Sequence, residues 1–200
     1  MTLIHDIMAY QKAPQPETVP RNDSLDSSAY DPAIHQPEML LIACVDARKD
    51  PIQDLGIPKG KSLILRNISA FIRGPSNDAE ECVSEAAALE FAVTAMKVKH
   101  IAVMGHTDCG GIRASVNNTP LPHIKKYLSP FEKLKDTADY EKASPDEKIC
   151  MLENRTIRAS VENLMRYPFI ADAVTQGRLS IHGWLIDITT GKLKEIITKG

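Results

Sequence analysis

Apolar runs of strand length alternate with amphipathic stretches along most of this chain. Residues 39–44, MLLIAC, are continuously apolar, as expected of a strand buried on both faces. SLILRN at 62–67 follows the turn signal Pro58-Lys59-Gly60 and predicts a second strand. Residues 79–97 are rich in Ala, Glu and Leu at helical spacing and predict a helix, with Asn77 or Asp78 as its N-cap. HIAVMG at 100–105 predicts a third buried strand, and residues 145–166 a long helix ending before Pro168. A short helix over 168–176 stops at Gly177, and a fourth strand covers 179–189. Thr190-Gly191 then turns the chain into a last strand at 192–197. The fold class is therefore α/β: one domain with a mainly parallel sheet, about four parallel strands plus an antiparallel edge strand, and flanking helices.

Two segments depart from that pattern. From Gly110 to about residue 144 the chain is polar without strong periodicity, which predicts a short helix after Gly111 and then surface excursions. Residues 11–38 carry Pro14, Pro16, Pro20, Pro32 and Pro37 and read as an extended arm, with a short amphipathic helix over about 3–12 before it. Such an arm is either disordered or wrapped around a partner subunit. The division expected is an arm over 1–38 and an α/β domain over 39–200.

The charge balance narrows the function classes. Among 200 residues, 24 Lys and Arg face 26 Asp and Glu, a net charge of −2. A nucleic-acid binder working through bulk basic charge is excluded on that count. No run approaches the roughly 18 apolar residues of a membrane span, and the opening residues lack the basic and apolar regions of a secretory signal. The expectation is a cytoplasmic, reduced protein, in which the four cysteines Cys44, Cys82, Cys109 and Cys150 serve catalysis or metal binding rather than disulfides.

The chemistry-bearing residues gather after strands. Cys44-Val45-Asp46-Ala47-Arg48 follows the first, Arg66-Asn67 ends the second, and His106-Thr107-Asp108-Cys109-Gly110-Gly111 follows the third. Ligands of open α/β sheets bind beyond the carboxyl ends of the strands, so parallel strands bring all three stretches to one edge. Two thiolates and an imidazole, Cys44, His106 and Cys109, make a three-ligand set for tetrahedral zinc with one position open. Zinc in an open site yields a hydroxide nucleophile near neutral pH. Asp46 is placed to accept that hydroxide's hydrogen bond, and Arg48 to hold the carboxylate ionised. Asp46 has a second possible place, on the metal as a fourth ligand. Gly110-Gly111 allows close backbone approach at a helix entrance, where amides steady an anionic product. Asp108 has three readings: an N-cap, a partner to a ligand, or a solvated carboxylate. Cys82 and Cys150 are expected to be bystanders on helices.

Cys44-x-Asp46-x-Arg48 with His106-x-x-Cys109-Gly110-Gly111 resembles the β-class carbonic anhydrases. Arg66-Asn67, the 79–97 helix, IAVMGHTDCGGI, SVENLMRYP at 160–168 and the IHGWLID…TGKL ending extend the likeness over roughly residues 36–196. The resemblance implies one Zn2+ per chain on Cys44, His106 and Cys109, and an Asp46–Arg48 dyad that orients the hydroxide. It implies a homodimer or tetramer in which the N-terminal arm packs over a neighbour. It also offers Gln36, offset by about one position, as the glutamine that lines the substrate pocket. There are departures: RNISAF stands where many members have a glycine-containing RNAGN, and Leu41 and Ile186 replace the Trp and Tyr that hold an inhibitory bicarbonate with Arg66 in some members.

The activity implied is reversible hydration of carbon dioxide to bicarbonate and a proton. Ile68 or Phe71 would supply apolar surface for the substrate, and His35, His100, His123 and His182 are proton-exit candidates by residue type. Hydrolysis of carbonyl sulfide or carbon disulfide on the same zinc set is the enzymatic alternative. A noncatalytic zinc protein used for assembly is the other, and the Asp46–Arg48 pair speaks against it.

Overall fold

In the computed structural model, residues 35–76 and 83–200 are described. The expected helix over 3–12, most of the arm, Cys82 and the Asn77/Asp78 cap lie outside them. Five strands form one sheet in the order β2-β1-β3-β4-β5, comprising β1 (Met39–Cys44), β2 (Ser62–Asn67), β3 (His100–His106), β4 (Ser180–Ile186) and β5 (Leu193–Lys199). The first four are parallel, and β5 pairs antiparallel to β4 with a register shift between Gly183 and Trp184. The expected four-plus-one sheet is therefore the one found.

The apolar runs explain the order. β1 and β3 are buried over nearly their whole length and sit in the centre. Alternate residues serve opposite faces. Leu40, Ile42, Ile101, Val103 and Ile181 face one layer, with Leu89, Ala92, Val93, Val161, Leu164, Ile170 and Ala173 packed on them. Leu41, Ala43, Ala102, Met104 and Ile186 face the other side, with Leu55 and Ile57 against them. β2 is less apolar, with Ser62, Arg66 and Asn67 at its ends; it is an edge strand, and its Ile64 is 41% exposed.

Among the described residues the helices are α1 (Pro51–Asp54), α2 (Val83–Glu90), α3 (Gly110–Val116), α4 (Pro122–Leu128), α5 (Glu132–Lys135), α6 (Ala138–Lys142), α7 (Pro145–Leu164) and α8 (Pro168–Thr175). α2 widens into a π-helical turn over Phe91–Ala95, where the Met96 amide donates to the Phe91 carbonyl at 2.9 Å. α7 starts where its sequence says it should. Ser144 Oγ accepts from the Glu147 amide, Glu147 Oε2 accepts from the Ser144 amide at 2.8 Å, and Pro145 occupies the first helical position. Its buried stripe, Leu152, Glu153, Thr156, Ile157, Ser160, Val161 and Leu164, recurs at helical spacing and lies on the sheet. No helix among the described residues is long and apolar enough to cross a membrane.

The stretch after α3 lies mostly on the surface, as expected, but it is helical and anchored by three buried side chains. α4 to α6 bury Leu128, Phe131 and Tyr140 in a cluster with Phe71, Ile112, Leu152, Cys44 and Cys109. Phe131 meets Phe71 edge-on, with ring centroids 4.8 Å apart. This cluster covers the carboxyl edge of the sheet and walls the candidate metal site on its inner side. The fourth strand also ends earlier than its apolar run suggests, at Ile186. The Asp187 carboxylate there accepts from the Thr189 and Thr190 amides at 2.8 and 2.7 Å and closes the turn into β5.

Candidate metal centre

β1 and β3 are adjacent, with Ala43 opposite Met104, so their carboxyl ends deliver Cys44 and His106 side by side. After His106 the chain makes a tight turn and enters α3, with Cys109 as its cap residue. The turn is anchored to β4. The Thr107 amide donates to the Ile186 carbonyl at 3.0 Å, and Thr107 Oγ1 accepts from the Ile188 amide at 3.0 Å. Cys44, His106 and Cys109 are all buried, and their ligand atoms lie within 4.8 Å of one another.

The donor set fits zinc. The two sulfurs are 3.9 Å apart, within hydrogen-bond reach and without a disulfide between them. His106 Nδ1 is 2.9 Å from the Thr107 carbonyl, which only accepts, so Nδ1 carries the proton. That leaves the Nε2 lone pair free, and Nε2 is a buried atom with no hydrogen-bond partner. An orphaned buried nitrogen is costly unless something binds it, and two thiols beside it complete a soft three-ligand set.

The two thiols are close enough to share a hydrogen bond, and each shifts the other. The hydrogen bond from Cys44 pulls the Cys109 thiol down to about 4, helped by His106 and Ser69 against the cost of burial. The same bond and burial push Cys44 up. Burial alone would lower His106, but the negative charge of Cys109 and Asp46 beside it and the Thr107 carbonyl raise it on balance. Metal binding must therefore release protons from this cluster.

Residues that sequence reasoning missed hold the ligands. Ser69 donates its amide to Cys44 Sγ at 3.4 Å, and its hydroxyl lies 3.5 Å from Cys109 Sγ. It does so from a left-handed backbone, φ 64°, and Ala70 follows at 51°. These are the positions of the RNISAF departure, where glycine would suit the conformation. Glu153 of α7 is buried and accepts from the Cys109 amide at 3.4 Å. Burial raises it, against the amides of Cys109 and Asp108. Its signal was a carboxylate within an apolar helical stripe. Arg66 clamps the loop after β1, donating to the carbonyls of Cys44 at 2.8 Å, Asp46 at 2.7 Å and Lys49 at 3.2 Å.

Asp46 and Arg48 form the bidentate pair expected, with Nε 2.9 Å from Oδ1 and Nη2 2.7 Å from Oδ2. These bonds hold the Asp46 carboxyl well below the usual carboxylate range, against partial burial. Asp46 Oδ2 is 3.7 Å from His106 Nε2, so the carboxylate rims the ligand set. Asp108 is not an N-cap. It takes the left-handed conformation, φ 57°, and meets both Arg48 and Arg113.

Other candidates fall elsewhere. Gly111 does allow close approach, but to the Ile68–Ala70 turn. A Cβ there would lie 2.5 Å from Ile68 Cγ2 and closer still to Ser69 Oγ. Gly110 has open space at its Cβ position. Gln36 is exposed just before β1, at the opposite end of that strand from Cys44, so within one subunit it does not line the site. His100 and His182 also belong to the far half of the sheet, bridged by Ser180 Oγ at 2.8 Å from each ring. About six residues of strand, roughly 20 Å, separate His100 from His106, too far for direct proton transfer. His35 and His123 are exposed. Phe71 is buried against Phe131, and Ile68 is partly buried beside it. Cys150 is exposed on α7, a bystander as expected.

An open, mainly parallel α/β sheet with a Cys-His-Cys set at its carboxyl edge defines a class of zinc-site proteins. The comparisons give the family. The carbonic anhydrase family model matches residues 39–193. β carbonic anhydrase 6, mitochondrial, of Arabidopsis thaliana is 33% identical over 168 residues, covering 80% of this chain and 56% of that protein. A carbonic anhydrase of Pseudomonas aeruginosa is 30% identical over 161 residues, 78% of this chain and 72% of its own. The solved structure of the β-carbonic anhydrase CcaA superposes with a TM-score of 0.74 at 28% identity, covering 82% and 81% of the two chains. A tetrameric β-carbonic anhydrase of Sordaria macrospora gives 0.75 at 26%, covering 84% and 85%. The chain belongs to the β-carbonic anhydrase family. It spans about three fifths of the length of the first curated relatives it matches.

Proposed function

We propose that this protein catalyses the reversible hydration of carbon dioxide to bicarbonate and a proton. The observation that carries the reading is the buried, unpartnered His106 Nε2 beside two thiol sulfurs, with an arginine-held carboxylate at 3.7 Å. Cys44, His106 and Cys109 would hold the zinc. Bound there, it supplies Lewis acidity, lowering the pKa of coordinated water from about 15.7 towards about 7.

The remaining work falls to the chain. Asp46 is ionised and therefore only accepts hydrogen bonds. Arg48 occupies both carboxylate oxygens from one side and fixes the direction in which the other lone pairs point. The lone pairs of Asp46 left free by Arg48 would accept from a hydroxyl held at the site and so orient that group towards the substrate. Arg66 keeps the Cys44–Lys49 backbone from shifting while this geometry is held. Gly110, with open space beside it at the mouth of α3, leaves room for a small anionic product.

The decisive experiment is stopped-flow carbon dioxide hydration by wild type and Asp46→Asn at equal zinc content, beside a sulfide-release assay with carbonyl sulfide and carbon disulfide. Carbon dioxide turnover that falls in Asp46→Asn supports the reading. Sulfide release without carbon dioxide turnover would replace it with the hydrolase. Silence in both would leave a noncatalytic zinc protein.

The same reading includes self-association as a homodimer or tetramer, supported by the tetrameric relative from Sordaria macrospora. It also includes a reducing compartment, the cytoplasm. What supports this is that Cys44, Cys109 and Cys150 are free thiols, two of them needed for metal.

A further inference from the structure

Arg48 does more than meet Asp46. Its planar guanidinium has two usable edges. The Nε/Nη2 edge grips Asp46, at 2.9 Å to Oδ1 and 2.7 Å to Oδ2. The Nη1/Nη2 end grips Asp108, at 3.0 Å to Oδ2 and 2.9 Å to the main-chain carbonyl. The left-handed turn at Asp108 presents carbonyl and carboxylate to the same guanidinium. The second carboxylate oxygen, Oδ1, accepts from Arg113 Nε of α3. The result is a chain of alternating charge, Arg113–Asp108–Arg48–Asp46, ending 3.7 Å from His106 Nε2.

We infer that Asp108, backed by Arg113, is a positioning residue that fixes Arg48 and so decides where the Asp46 carboxylate points. The inference rests on the Asp46–Arg48 reading of the site and adds two residues to it. Arg48 is 49% exposed, and a single exposed ion pair of that kind contributes little. Two bidentate grips on separate edges are different, because the guanidinium cannot swing to follow Asp46 without breaking both bonds to Asp108. The contact also spans 60 positions of sequence and ties the loop after Cys44 to the loop before Cys109. Asp46 is thereby kept on its arginine instead of turning onto the metal.

The first test needs no metal. In 15N-labelled metal-free protein, solvent exchange of the Arg48 Nη–H groups, two of which donate to Asp108, should be slow in wild type. It should rise by roughly tenfold in Asp108→Ala, the size expected for loss of charged hydrogen bonds, and by less in Arg113→Ala. The second test is a double-mutant cycle at equal zinc content. Asp108→Ala should lower kcat for carbon dioxide about tenfold, by the same loss of charged bonds, and should have no further effect in an Asp46→Asn background. Unchanged Arg48 exchange, or an equal fall in kcat in both backgrounds, would overturn the inference, since a merely structural defect acts with or without Asp46. If Asp46→Asn itself leaves activity unchanged, the dyad reading fails, and the exchange measurement alone decides whether Asp108 holds Arg48. Should Asp108→Ala not fold, Arg113→Ala carries both tests, with smaller effects in the same direction.

Discussion

Two adjacent glycines at the mouth of α3 should respond oppositely to the same added methyl group. At Gly111, a Cβ would stand 2.5 Å from Ile68 Cγ2 and nearer to Ser69 Oγ, well inside the 3.4 Å at which ordinary contact begins. Ile68 is β-branched and stiff at χ1. Ser69 already sits in the left-handed region, and rotating its hydroxyl away loses the Cys109 contact. The turn or the helix must therefore move. Overpacking of this kind costs about 1–3 kcal/mol, offset by about 0.5–1 kcal/mol from replacing a helical glycine. The net expectation for Gly111→Ala is a loss of up to about 2.5 kcal/mol, which lowers Tm by up to about 10 °C for a chain of this size. Because the shift separates Ser69 and Cys109 from Cys44, zinc affinity should fall about 10–100-fold, as for other loss of support to metal ligands. At Gly110 the Cβ meets nothing within 4 Å, so Gly110→Ala should be neutral or stabilising by up to about 0.5–1 kcal/mol. Urea unfolding of the metal-free proteins gives the stabilities, and competition with a chromophoric chelator gives the zinc affinities. Equal behaviour of the two variants, or Gly111→Ala with wild-type stability and affinity, would refute the packing argument.

The other expectations are shorter. Cys44→Ser and Cys109→Ser should each lose zinc by metal analysis, while Cys150→Ala keeps it, since that thiol is exposed and apart from the ligand set. Ser69→Gly should relieve backbone strain of about 1 kcal/mol yet bind zinc more weakly, because the hydroxyl beside Cys109 is gone; a chelator titration showing equal affinity would sever Ser69 from the metal. Ser144→Ala should cost about 1 kcal/mol through the lost cap of α7, read by urea unfolding. Its partner Glu147 is held below the ordinary carboxylate range by the Ser144 hydrogen bonds. That contribution is present above the unfolded value of about 4.3 and disappears as pH falls through the lower folded value, so the gap between wild type and Ser144→Ala should narrow in acid. Removing residues 1–30 should move the assembly towards monomer in light scattering if the arm packs over a neighbour.

Most of the sheet was legible because β1 and β3 are continuous apolar runs that only a central parallel position can bury. Once the strands are parallel, the residues after each one share an edge, and Cys44, His106 and Cys109 need no further information to meet. The stretch from α4 to α6 was not legible. Leu128, Phe131 and Tyr140 are too unevenly spaced to announce a face. Their burial is decided by Phe71 and by α7, elements distant in the chain. The same holds for Ser69 and Glu153, whose roles exist only through contacts made across 25 and 44 positions. Asp108 admits three readings from sequence because the choice among them depends on a backbone dihedral that sequence pattern does not carry.

That dihedral belongs to a wider regularity. Among the described residues, five non-glycine positions have positive φ, and Ser69, Ala70 and Asp108 are three of them. All three lie within the turns that carry or touch the metal ligands. Glycine would relieve the backbone at each, but it could replace neither the Ser69 hydroxyl near Cys109 nor the Asp108 carboxylate between Arg48 and Arg113. Ala70 is fully buried beneath the turn and gives up backbone ease for packing. Local rules are thus broken where a side chain is needed in a position that only a strained backbone can reach. The strain is tolerable because the turns are held from outside: Asp108 follows the buried strand β3 and meets Arg48 and Arg113, while Ser69 and Ala70, which follow the edge strand β2, are fixed by the contacts of Ser69 with Cys44 and Cys109 and by the burial of both residues. A site that must hold three ligand atoms within 4.8 Å gains from that arrangement, since turns that cannot relax also cannot drift apart.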